Sequence, residues 1–123
     1  MAGKLYLVAT PIGNLEDMTY RAVRVLSEVD VIAAEDTRNS IKLLNHFEIK
    51  TPMTKVLVEK MQQGQSVAVI TDAGTPGISD PGEELVRQAL DAGLEVTPVP
   101  GACACISALI SSGLSTRRFA FEA

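Results

Sequence analysis

The residues best suited to chemistry lie in one stretch, Thr71-Asp72-Ala73-Gly74-Thr75-Pro76-Gly77-Ile78-Ser79-Asp80-Pro81-Gly82, directly after the apolar run Ser66-Val67-Ala68-Val69-Ile70. Three glycines, two prolines and two aspartates in that stretch describe a shaped loop at the end of a strand. Glycine lets a ligand approach the backbone or the chain take positive φ, proline fixes φ and removes a donor, and the carboxylates accept hydrogen bonds from hydroxyl or amino groups. Such a loop suits ligand binding. The competing reading is an ordinary strand-to-helix connection, with Asp80 as N-cap, Pro81 at the first helical position, and Glu83 and Glu84 favourable in the first turn. Both roles stay open. A second cluster, Glu35-Asp36-Thr37-Arg38, packs two carboxylates and a guanidinium at another strand end. It can hold a hydroxyl-bearing ligand or a phosphate, or serve as a local ion pair and helix cap. Glu35, Asp36, Asp72 and Asp80 are the candidate general bases, and the sequence singles out none of them as catalytic.

Several other chemistries lack their residues. There is no Gly-x-x-x-x-Gly-Lys-[Ser/Thr], and Pro11-Ile12-Gly13-Asn14 follows the first strand where a dinucleotide fingerprint would need Gly-x-Gly-x-x-Gly. The one histidine, His46, sits with Leu43, Leu44 and Phe47 on a helical pattern, which reads as a partly buried structural side chain and leaves no Ser-His-Asp or Cys-His set. Cys103 and Cys105 lie in an Ala/Ile-rich stretch, where a mutual disulfide would be strained and a metal would lack ligands. They read as small core residues in a reducing compartment, and no metal is expected. Net charge is −4 with a pI near 4.9, so the basic footprint of direct nucleic-acid binding is missing. Arg117-Arg118 reads as solvated. Apolar runs stop well short of the roughly 20 residues of a membrane span, and Met1-Ala2-Gly3-Lys4 lacks the pattern of a secretory signal. The expectation is a cytoplasmic protein without a membrane partner.

Elements must position these loops, and their order is legible. Lys4 to Thr10 is an apolar β-prone run ended by Pro11 and Gly13, and Thr19 to Val29 then carries Ala22, Val23, Val25, Leu26 and Val29 at helical spacing. Asp30 to Ala34 reads as the second strand, with Ser40 capping a short helix of Ile41, Leu43, Leu44 and Phe47. Val56 to Met61 reads as helix up to Gly64, Val67 to Ile70 as the third strand, and Pro81 to Ala92 as a helix stopped by Gly93. Glu95 to Val99 is the fourth strand, Pro100-Gly101 opens a helix over Ala102 to Ser112, and Arg118 to Glu122 reads as a fifth strand. Alternating strands and helices in one domain of 123 residues imply an α/β fold: an open, mostly parallel five-stranded sheet with helices on both faces. In such sheets ligands bind beyond the carboxyl ends of the strands. All four unusual loops fall there: Pro11 to Asn14, Glu35 to Arg38, Asp72 to Asp80, and Pro100-Gly101.

Taken together, Val8-Ala9-Thr10-Pro11-Ile12-Gly13-Asn14-Leu15, Ala33-Ala34-Glu35-Asp36-Thr37-Arg38, Asp72 through Gly82, and Val99-Pro100-Gly101 form four motifs in one order along nearly the whole chain. In these the chain resembles the small-subunit ribosomal RNA methyltransferases of the tetrapyrrole methylase superfamily. The resemblance implies S-adenosylmethionine as cofactor and 2′-O-methylation of a cytidine ribose in small-subunit ribosomal RNA. It implies that Pro11, Gly13, Asp72, Gly74, Thr75, Pro76, Ile78, Ser79, Asp80, Pro100, Gly101 and Ala102 line the cofactor, with Thr75 where many relatives carry aspartate. Glu35, Asp36, Thr37 and Arg38 would face the RNA. The fold implied is the N-terminal cofactor-binding domain of that superfamily.

Two departures accompany the resemblance. Such enzymes continue into a second domain, whereas this chain stops at Ala123 and reads as an N-terminal half, inactive or nearly so alone. Relatives also carry a longer segment with histidine and asparagine where Met53-Thr54 alone joins Thr51-Pro52 to the helix beginning near Lys55. Alternatives are a methylase of a tetrapyrrole or other small molecule, a nucleotide-binding module without chemistry, and a purely structural role for the loops. A wall built to face another domain exposes apolar surface, so a homodimer is expected. Gly74→Val is expected to abolish cofactor binding with little loss of fold.

Overall fold

The computed structural model describes residues 3–54, 63–78 and 82–122. Five strands make one sheet: β1 Lys4–Val8, β2 Val31–Ala34, β3 Met53–Thr54, β4 Val67–Ile70 and β5 Glu95–Val99. Their order is β3-β2-β4-β1-β5, and every pairing is parallel. The central strands β2 and β4, Val-Ile-Ala-Ala and Val-Ala-Val-Ile, are buried along their whole length. Continuous apolar strands of this kind belong to parallel sheets covered on both faces. Pro98, which cannot donate to a ladder, is tolerated because β5 pairs with β1 alone and so lies at an edge.

Four helices are described: α1 Tyr20–Glu28, α2 Thr37–His46, α3 Gly82–Asp91 and α4 Ala104–Ser111. The Thr19 hydroxyl caps α1, accepting from the Ala22 N–H at 3.0 Å. Helix α3 ends where Gly93, at φ 76°, turns left-handed, with Gly93 N–H donating to Leu90 O and Leu94 N–H to Ala89 O at 3.0 and 2.9 Å. Ala22, Val25 and Leu26 of α1 and Leu44 of α2 pack with Val8, Ile32, Ala34, Ala68, Ile70 and Val99 on one face of the sheet. Leu85 and Ala89 of α3 cover Leu5, Val31, Ala33, Val67 and Val69 on the other. The connections out of β1 and β4, which are neighbours, therefore leave toward opposite faces.

Three sequence expectations change. The fifth strand is Met53–Thr54, paired with β2 through Ile32–Met53 and Ala33–Thr54, and Arg118 to Glu122 forms no strand. Phe119-Ala120-Phe121 instead lies beside α4, where these residues and Ile106, Leu109 and Leu114 line a shallow apolar cavity of about 350 Å³. Helix α2 begins at Thr37 with Asp36 as its cap, and Ser40, read as the cap, is a buried residue inside the helix. Helix α4 starts two residues later than expected, with Cys103 at the N-cap. The expected helix over Val56 to Met61 and the cap at Asp80-Pro81 lie outside the described residues. Among the described residues no helix is long and apolar enough to cross a membrane.

Leu26 is fully buried and Tyr20, on the same helix, is 97% exposed. Leu26→Ala is expected to lower unfolding free energy by about 2–5 kcal/mol. Tyr20→Ala is expected to stay within about 0.5 kcal/mol, both read from urea denaturation.

Candidate functional site

Neighbouring parallel strands whose outgoing helices leave to opposite faces open a crevice beyond their carboxyl ends. Here those strands are β1 and β4, and their loops are joined across the crevice. Thr10 N–H donates to Gly74 O at 3.0 Å and Gly74 N–H to Thr10 O at 2.9 Å, a single antiparallel bridge at the end of two parallel strands. The Thr10 hydroxyl, itself buried, reaches Thr71 O at 3.4 Å. Gly74 holds the bridge at φ 85°, a left-handed backbone that favours glycine. A Cβ there would sit 3.2 Å from Ile12 Cγ2 and 3.6 Å from Ala102 O.

The loop after β5 closes onto the same junction. The Thr75 hydroxyl donates to Ala102 O at 2.8 Å. Gly101 lies so close to β1 that a Cβ on it would approach Ala9 Cβ to 2.9 Å, and Ala9 N–H donates to Val99 O at 3.3 Å. Loops after three strands are thus one bonded unit, containing Pro11, Gly13, Asp72, Gly74, Thr75, Pro76, Pro100, Gly101 and Ala102. Gly74 and Pro76 are buried, whereas Gly13, Asp72, Ile78, Pro100 and Gly101 are exposed. Ser79 and Asp80 lie outside the described residues.

Beside this unit a cavity of about 360 Å³ is lined by Pro11, Gly13, Asn14 and Leu15, by Asn39, Lys42, Leu43 and His46 of α2, and by Asp72. The volume is within the range of small-molecule sites. Its polar groups offer a carboxylate, an ammonium, an imidazole and amides around an apolar floor. The wall from α2 was not foreseen in the sequence: His46 is exposed, not partly buried, with its ring edge-on to Phe47 at 4.8 Å. The repeat Asn39, Lys42, Leu43, His46 at helical spacing was the signal that places these four side chains on one face.

Glu35, Asp36, Thr37 and Arg38 lie at the same carboxyl edge but border none of the cavities described above. Asp36 is engaged locally, accepting from Arg38 N–H at 3.0 Å and Asn39 Nδ2 at 3.2 Å. The Arg38 guanidinium stands 3.9 Å from Asp36 and is 94% exposed, an ion pair of small worth. Asp36 therefore serves as the cap, and Glu35, Thr37 and Arg38 face solvent. Cys103 and Cys105 are also not core: the first is half-buried and the second exposed, and both are free thiols. Among the described residues no group of three or more potential ligands gathers for a metal.

A sequence profile for tetrapyrrole (corrin/porphyrin) methylases matches residues 4–121. The chain is 60% identical to a protein of Synechocystis sp. named ribosomal RNA small subunit methyltransferase I, covering 98% of this chain and 47% of the relative. A protein of the same name from Pasteurella multocida is 54% identical over 99% of this chain and 47% of its own length. The chain thus spans about half the length of these relatives. The first alignment runs over 131 positions against 123 residues here, so the relative carries residues that this chain lacks. Among solved structures, a uroporphyrin-III C-methyltransferase of Thermus thermophilus superimposes with a TM-score of 0.69 at 27% identity, covering 94% of this chain and 55% of that one. The structure of that enzyme in complex with S-adenosylhomocysteine gives 0.65, also at 27% identity, over 92% and 49%.

The junction makes two predictions. Gly101→Ala is expected to cost about 1–3 kcal/mol by overpacking, and Ala9→Gly in that background is expected to recover part of the loss, read as a double-mutant cycle in denaturant. Gly74→Val is expected to lower stability by about 1–2 kcal/mol or more through left-handed strain, measured the same way. The expectation that this substitution spares the fold is corrected by the positive φ and the bridge.

Proposed function

The chain belongs to the tetrapyrrole (corrin/porphyrin) methylase family, and on that premise we propose that it is the N-terminal half of an S-adenosylmethionine-dependent methyltransferase of small-subunit ribosomal RNA. The reaction proposed is transfer to the 2′-oxygen of a cytidine ribose. The observation that carries the reading is the junction of the three loops at the crevice between β1 and β4, with Gly74 buried in it and Gly13 and Gly101 exposed. The solved relative with S-adenosylhomocysteine supports the cofactor. The names of relatives 49–60% identical support the RNA, against 27% for the uroporphyrin enzyme, which disfavours the small-molecule reading.

The residues present fit the cofactor. A Cβ at Gly74 or Gly101 would crowd Ile12, Ala102 or Ala9, so the glycines keep these three loops in contact at the mouth of the crevice. Pro11, Gly13, Asp72, Gly74, Thr75, Pro76, Ile78, Pro100, Gly101 and Ala102 would hold the cofactor, Asp72 through a solvent-facing carboxylate able to accept from hydroxyl or amino groups. When bound, the cofactor supplies an electrophilic methyl carbon on a sulfonium. The chain's contribution is to hold the cofactor and the ribose oxygen in line, so that positioning lowers the barrier. Glu35, Thr37 and Arg38 stand on the same edge to meet the RNA, with the exposed Arg38 guanidinium suited to a phosphate.

The second half of the protein would supply the opposite wall of the cleft and, given a charge of −4 on this chain, the basic surface that RNA requires. Exposed Ile106, Ile110, Leu114, Phe119 and Phe121 support burial against another domain or a second copy, so the whole enzyme is proposed as a homodimer acting where ribosomal subunits are made, in the cytoplasm. Its test is methylation by the family-length protein carrying this sequence, with methyl-labelled cofactor and small-subunit RNA, followed by nucleoside analysis. Label in 2′-O-methylcytidine is expected. Label in a base, or none, contradicts the reading. Asp72→Asn is expected to weaken cofactor affinity about tenfold, as loss of a charge-assisted hydrogen bond implies.

A further inference from the structure

Next to Ala102, where the loop after β5 holds the Thr75 hydroxyl, stand two thiols that the proposed methyl transfer does not use. Cys103 and Cys105 flank Ala104 at the start of α4, with Sγ atoms 3.6 Å apart. Both are free, and Cys105 is exposed. Their hydrogen bond is the first cause, ahead of desolvation and the charge on Cys103, that raises the Cys105 thiol above its usual range. The backbone beneath them is committed elsewhere. Cys103 O accepts from Ser107 N–H at 3.0 Å, and the preceding Ala102 O holds the Thr75 hydroxyl at 2.8 Å.

Metal ligation is the lesser use of this pair, because among the described residues no third ligand joins it and a tetrahedral site needs four. A bond between the two sulfurs requires them to close from 3.6 Å to about 2.05 Å. With a single residue between them, that bond is strained, and strained, exposed disulfides are the easily reduced ones.

We propose that Cys103 and Cys105 form a reversible dithiol–disulfide site, oxidised by exchange with a small-molecule disulfide, and that closing it loosens the loop at residues 71–78 and so weakens cofactor binding. The last clause rests on the function proposed above; the disulfide itself does not. In the exchange the thiolate of one cysteine attacks one sulfur of the reagent, whose S–S bond breaks and releases one thiolate. The thiolate of the other cysteine then attacks the protein sulfur of that mixed disulfide and expels the second. Two electrons pass from the protein thiols to the reagent, and the two thiol protons end on the released thiolates or in water. Closure draws on the Cys103 backbone, and through Ala102 it reaches Thr75 and the Thr10–Gly74 bridge.

The test treats the chain with glutathione disulfide and reads intact mass, amide hydrogen exchange over residues 71–78, and calorimetric affinity for S-adenosylhomocysteine. The expected product has lost two hydrogens and retains no glutathione. Cys103→Ser and Cys105→Ser each stop at a stable glutathione adduct, and dithiothreitol restores the starting mass. Oxidation is expected to speed exchange in the loop and weaken cofactor affinity about threefold or more, with neither change in the Cys-to-Ser variants. A persistent adduct or an intermolecular disulfide on the wild-type chain overturns the site. A clean disulfide with unchanged loop exchange overturns the coupling. If the reduced chain binds no S-adenosylhomocysteine, the cofactor reading for this chain fails, while mass and exchange still decide the disulfide and its reach.

Discussion

The short antiparallel bridge between Thr10 and Gly74, with N···O distances of 3.0 and 2.9 Å, is the contact on which the proposed site depends. Parallel strands deliver their loops to one edge, but nothing in a parallel ladder makes those loops touch. The bridge does so, and it is available only because Gly74 adopts a positive φ that a side chain would strain. Once Thr10 and Gly74 are joined, Thr75 lies within reach of Ala102, and the loop after β5 is added through Gly101 and Ala9. Three segments far apart in sequence become one surface with little room for added methyl groups. A ligand site built this way pays its ordering cost in folding and leaves less to be met on binding.

How much of this was legible in the sequence depends on the residues concerned. The apolar runs Val31–Ala34 and Val67–Ile70 announced buried parallel strands, and Gly93 marked a helix end, whereas Thr19, read as the first residue of its helix, is the cap. The convergence of the four loops followed from strand alternation alone. Met53–Thr54 was missed because two residues carry no period, and its pairing with β2 is a property of the assembled sheet. Arg118 to Glu122 misled for the converse reason: a strand needs a partner ladder, which the local sequence does not supply, and Phe119 and Phe121 lie beside α4 instead. At the site, Asp36 shows the same limit. Its residue type fitted either a ligand contact or a cap, and only the 3.0 Å contact with Arg38 N–H reveals the cap. Helical spacing groups His46 and Lys42 on one face of α2, but it does not say that this face lines the cavity.

Surface and charge are unequally distributed over these parts. The faces of the sheet are closed by α1, α2 and α3, whereas α4 is apolar almost throughout and buries none of its residues. Ile106, Ile110, Leu114, Phe119 and Phe121 stand 40–72% exposed, and exposed apolar surface of this kind marks sites that partners cover. The chain spans 47% of the length of the Synechocystis relative. The α4 side carries the thiol pair and adjoins the cofactor loops, so the proposed cofactor site, redox site and apolar surface share one region of the molecule.

The central claim, that the loops joined at Thr10–Gly74 bind the adenosyl cofactor, is tested most directly by recording amide shifts of the isotopically labelled chain during titration with S-adenosylhomocysteine. The account predicts saturable shifts concentrated at Thr10, Gly13, Asp72, Gly74, Thr75, Gly101 and Ala102, with GTP producing none. Saturable shifts centred away from these loops, or none at ligand concentrations in the millimolar range, would contradict it.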